Sequence, residues 1–162
     1  MTIPSLNEFW KKEECPLVDG VIFNDGTVVE FNITNSLTGG LQFDEIGRTQ
    51  ITEILKQDPD NYKNIYHSTV QQVHLSNKYM AGEGSWGGDG YVACLDLKTN
   101  DVLWIFTSDR INPIIDLEFS NNIVIAKNNL NSFFSIEVKR SNKKAVIIKQ
   151  IENDSTTMYN KS

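Results

Sequence analysis

The stretch from Val70 to Phe106, VQQVHLSNKYMAGEGSWGGDGYVACLDLKTNDVLWIF, decides the fold. Val73, Leu75, Tyr79 and Ala81 alternate with polar neighbours, the period-two pattern of half-buried strands. Ser76, Asn77 and Lys78 suit a tight turn between them. Five glycines fall within the nine residues from Gly82 to Gly90, a density that reads as a loop because glycine reaches positive φ and lets backbones approach closely. Beyond it, Tyr91 to Leu97 reads as a strand, Lys98 to Asp101 as a polar turn, and Val102 to Phe106 as the antiparallel partner.

Working outward toward the C-terminus, a weaker copy of this plan follows Pro113. Leu117 to Ile125 parallels Val73 to Ala81, Ile136 to Lys139 parallels Leu95 to Lys98, and Ala145 to Ile148 replaces the tryptophan-bearing strand. The offset of roughly forty-odd residues is the period of four-stranded propeller blades. Gly90, Ala93, Asp96, Thr99 and Trp104 also resemble the hairpin of a quinoprotein-type β-propeller blade. Asn100 stands where that family has glycine, and Cys94 with Leu95 gives Ala-x-x-Asp in place of Ala-x-Asp. The resemblance implies blade-like strand packing and no quinone cofactor. Because such arrays need about three repeats and the chain has room for two, a complete propeller is not expected.

Toward the N-terminus, Ser5-Leu6-Asn7-Glu8 spells a capping box, and Leu6, Phe9 and Trp10 share one face of a short helix that Pro16 closes. Val18 to Phe23 and Thr27 to Ile33 read as strands joined across Asn24-Asp25-Gly26. The spacing of Phe43, Ile46, Ile54 and Leu55 predicts a helix from about Asp44 to Gln57, weakened by Gly47 and ended by Asp58-Pro59-Asp60. Asn61 to Thr69 reads as a short helix or a meandering connection. The expected fold is α+β and predominantly antiparallel: a twisted meander sheet of blade-like hairpins with an N-terminal helix and one middle helix. Residues 1–152 form a single β-rich domain, and 153–162 read as a frayed tail.

Chemical motifs are scarce. Gly82, Gly84 and Gly87 spell G-x-G-x-x-G, but a dinucleotide site needs that loop to open a helix, and here Gly90 begins a strand. Ser85 lacks the glycine two residues before it that a nucleophile elbow requires. Cys15 and Cys94 are far apart, without metal-ligand spacing, and His67 and His74 fall in separate elements. No catalytic residue, cofactor or metal is expected. Catalysis would require Glu83, Asp89 and a histidine to converge in one cleft.

The chain carries 21 acidic against 15 basic side chains, a net charge of −6, which argues against the phosphate neutralisation that nucleic-acid binding rests on. No apolar run has the length of a membrane span, and the first residues lack a signal peptide's apolar core, so a cytoplasmic protein is expected. Glu83, Trp86, Asp89 and Tyr91 lie on or beside the glycine loop. Tryptophan and tyrosine dominate interface hot spots, so these four are the expected partner-binding residues. The whole profile, small, acidic, rich in Asn and Lys and without a site, resembles bacterial immunity proteins. It implies a non-catalytic protein that neutralises a basic toxin domain by direct binding. The alternative is a small-ligand or carbohydrate-binding β module with Trp86 and Tyr91 as stacking platform.

Overall fold

A computed structural model of the protein describes residues 3–35, 40–67, 70–85, 87–139 and 144–151. Helix α1 spans Leu6–Lys11, and its capping box is complete: Glu8 N–H donates to Ser5 Oγ, and the Glu8 carboxylate accepts from Ser5 N–H. Leu6, Phe9 and Trp10 are all buried. The helix ends well before Pro16. Glu13 turns the chain at φ 54°, and Pro16 closes the three-residue strand β1, Glu14–Pro16.

The hairpin of β2, Gly20–Phe23, and β3, Thr27–Asn35, forms as expected, with Gly26 at φ 92° in the turn. Next comes a correction. Residues Asp44 to Gln50 belong to a strand, β4 (Leu41–Gln50), paired with β3 along its length, and only Ile51–Gln57 is helical, as α2. The register explains the helix-like spacing. Glu30 pairs with Gly47 while Phe31 pairs with Glu45, so Ile46 is an extra, bulged residue. A bulge breaks period-two alternation by one residue and puts apolar side chains three apart. The connection from Asn61 is a strand as well: β5, Tyr62–Asn64, pairs with β1 in a two-stranded ribbon.

From Val70 the chain is a meander: β6 (Val70–His74), β7 (Asn77–Glu83), β8 (Gly90–Asp96), β9 (Val102–Ser108), then β10 (Ile114–Ser120), β11 (Ile123–Asn128), β12 (Phe133–Lys139) and β13 (Ala145–Ile151). Each unit is four-stranded and antiparallel, and Pro113 lies between them. The turns align two residues away from the alignment read in the sequence. Leu75 at φ 56° and Asn121 at φ 53° hold the same place in their hairpins. Leu75, in the turn, is 68% exposed, and Val73, on the edge strand β6, is 59% exposed, where alternation had them half-buried. The other hairpin turn carries Asn100 at φ 65°, a conformation asparagine tolerates better than most residues.

The first unit joins the N-terminal hairpin through β9, giving a seven-stranded antiparallel sheet in the order β4-β3-β2-β9-β8-β7-β6. One face packs on the β10–β13 sheet through Phe23, Phe31, Trp104, Phe106, Ile114, Phe134 and Ile136. The other face, with Ile22, Val28, Tyr91, Leu95 and Ile105, is covered by α1, α2 and the β1–β5 ribbon. Strand alternation sends each strand's side chains into both cores, which is why β8 and β9 are buried almost throughout. Among the described residues no helix is long and apolar enough to cross a membrane.

Candidate functional site

Two of the four residues expected on the glycine loop surface, Asp89 and Tyr91, are turned into the protein. β7 runs on through Glu83, and Gly84 bridges to Ile65, which shortens the loop. Glu83 is exposed. Asp89 and Tyr91 are fully buried, a correction to the expectation that they line a binding surface. Trp86 lies outside the described residues. Tyr91 is buried because β8 places it on the face beneath α1. There its ring meets Trp10 edge-on, its hydroxyl donates to the Tyr66 carbonyl at 2.5 Å, and burial raises its pKa. Asp89 is buried because Lys63 of β5 meets it: Nζ lies 3.2 Å from Oδ2, with side-chain exposures of 1% and 0%. Glu83 is exposed while Asp89 is buried against Lys63, so these carboxylates do not converge.

The histidines are held apart. His74 Nε2 is 2.7 Å from the Asn121 carbonyl, and its ring stacks on Phe119. His67 stacks on Trp10 with centroids 3.9 Å apart, and its backbone N–H donates to Glu13. Burial pushes the His67 imidazole below the ordinary histidine range, against the opposing pull of the Glu13 carboxylate. Cys15 and Cys94 are buried thiols, and neither is in a disulfide. Among the described residues no three His, Cys, Asp or Glu side chains gather closely enough to hold a metal.

What the fold does build is a hollow of about 360 Å³ beside the bulge in β4. The chain entering β2 supplies Leu17, Val18 and Asp19; β3 supplies Glu30 and Phe31; the bulge supplies Ile46; α2 and its exit supply Ile54, Gln57, Asp58 and Asn61. The bulge is what aims Ile46 here, leaving it 64% exposed. Phe31 N–H donates to the Asp19 carbonyl at 2.8 Å and so fixes one rim to the other. Asp19 is the most constrained acid: Oδ1 accepts from Ser108 Oγ at 2.6 Å, and the Arg110 guanidinium stands 3.9 Å from Oδ2. Among the described residues no cation pairs with Glu30 or Asp58. A lining shared between apolar side chains such as Phe31, Ile46 and Ile54 and the acids Glu30 and Asp58 favours a cation carried on an aliphatic stem, the form of a lysine or arginine side chain.

This site was missed in the sequence because its acids come from three separate segments. The one legible signal was Gly47 beside an isoleucine that fits no strand alternation. No family model, no curated protein and no solved structure matches the chain.

Proposed function

We propose that the protein is a non-catalytic binding protein whose partner is a basic protein. In its more specific form, it is a cytoplasmic immunity protein that neutralises a bacterial toxin domain by covering its surface. The observation that carries this reading is the hollow beside Ile46. It is large enough for one or two side chains, and its lining combines apolar Phe31, Ile46 and Ile54 with acidic Asp19, Glu30 and Asp58. The net charge of −6 adds a long-range attraction for a basic surface. The proposed interface is thus centred on the β4 bulge; of the four glycine-loop residues, buried Asp89 and Tyr91 leave it, exposed Glu83 stays open to a partner, and Trp86 lies outside the described residues. The two four-stranded meanders, each with a left-handed residue at the same turn position, support reading them as related blade-like units.

The test is affinity capture from the native lysate with the wild type and with Glu30→Lys/Asp58→Lys. One stoichiometric basic protein held by the wild type and lost by the double variant supports the reading. Equal capture by both removes the hollow from the interface. If the captured partner is a toxin domain, co-expression with this chain restores growth; failure to restore it refutes the immunity role while leaving binding intact.

A further inference from the structure

Lys63 and Asp89 form an ion pair sealed from water, 3.2 Å from Nζ to Oδ2, in the layer between the β1–β5 ribbon and the end of β8. Burying two charges costs several kcal/mol per ion, which their attraction offsets only in part. The surroundings force the contact. A Cβ on Gly84 would overlap the Asp89 carboxylate, and one on Gly90 would overlap the Asn112 carbonyl, so both glycines permit the close packing that sets Asp89 against Lys63. Cys15 lies directly across the ribbon from Lys63, with Thr107 beside its thiol.

We propose that Lys63 and Asp89 condense into an intramolecular isopeptide bond, joining the ribbon covalently to the large sheet. The balance is that of a dehydration. One proton passes from the Lys63 ammonium to the Asp89 carboxylate, and the freed amine lone pair attacks Cγ. A second proton moves from nitrogen to the hydroxyl, the Cγ–O bond breaks, and one water leaves. One N–C bond replaces one C–O bond, net charge is unchanged, and no oxidant or cofactor enters. Two features favour the reaction. The fold holds the two side chains in contact, so the reaction is intramolecular and needs no encounter. The neutral amide also removes both buried charges. Burial pushes the Cys15 thiol up to about 12, so it keeps its proton and adds no third charge beside the pair.

Intact-mass measurement of the purified wild-type chain tests this directly, followed by peptide sequencing of a digest. The expected result is a mass one water below the sequence mass and a branched peptide carrying both Lys63 and Asp89. Lys63→Arg returns to the full mass. A wild-type chain at full sequence mass overturns the proposal. A water loss mapped to a succinimide at Asp19-Gly20, Asp25-Gly26 or Asp89-Gly90 overturns it as well; hydroxylamine opens that ring and leaves an amide cross-link untouched.

Discussion

Asn7 ties the first helix to the turn between β8 and β9 with both ends of its amide: Nδ2 donates to Asp101 Oδ1 at 2.9 Å, and Oδ1 accepts from Val102 N–H at 2.8 Å. That N–H opens a buried strand, so losing its partner leaves a donor unsatisfied. Asn7→Ala is expected to cost about 1–3 kcal/mol in urea unfolding. Asn7→Asp keeps the acceptor for Val102 but sets a carboxylate against Asp101, so it should lose less at acid pH than at neutral pH.

Two glycines should respond in opposite directions. A Cβ at Gly20 would run into the Val29 carbonyl, whereas one at Gly47 meets nothing within 4 Å. Gly20→Ala is expected to destabilise by about 1–3 kcal/mol, the usual cost of overpacking. Gly47→Ala should stabilise by about 0.5 kcal/mol through lost unfolded-state entropy. Thermal melts of the two variants decide it.

Asp96 gives the hairpin turn a pH dependence. Its Oδ1 accepts from Thr99 N–H at 3.0 Å and Lys98 N–H at 2.8 Å, which holds the carboxyl below the usual carboxylate range. The unfolded value is about 3.9, so this contribution is fully present above that pH and is lost as pH falls through the lower folded value. Asp96→Ala should therefore lower the urea midpoint at pH 7, with the gap to wild type closing at strongly acid pH.

Both thiols should resist a thiol-reactive disulfide reagent in the native protein, since Cys15 and Cys94 are buried and burial raises the Cys15 pKa to about 12. Two equivalents should react once denaturant is added. Rapid labelling of either thiol without denaturant would mean that the ribbon or β8 opens.

Charge reversal in the hollow should act mainly on association with the captured partner. Glu30→Lys/Asp58→Lys is expected to slow the on-rate about tenfold and to flatten its salt dependence. An unchanged salt slope would place the electrostatic contact elsewhere on the surface.

The hairpins were legible because their turns carry chemistry that acts over three or four residues. Gly26 at positive φ and the Asp96 carboxylate capping two backbone N–H groups are local facts. β4 was not legible, because Ile46 is an extra residue defined by its neighbour strand, and its spacing from Phe43 imitates a helix. Leu75 looked like a strand residue, yet the His74–Asn77 pairing leaves it in the turn. Asp89 and Tyr91 looked open to a partner, on or beside the glycine loop, because the ribbon that covers them is built from residues such as Cys15 and Lys63, distant in the chain. The hollow is a product of tertiary structure in the same way.

β2 lies between β3 and β9, with Val21 facing Val29 on one side and Phe106 on the other. β3 is translated immediately after β2, whereas β9 follows only after four further strands of the same sheet have been made. As the chain leaves the ribosome, the N-terminal hairpin therefore waits with one apolar edge unpaired. Such edges recruit other chains. The centre of the sheet closes only when Trp104 to Thr107 arrive, so slow translation across the β4–β8 region lengthens the interval in which the nascent protein is open to misassembly.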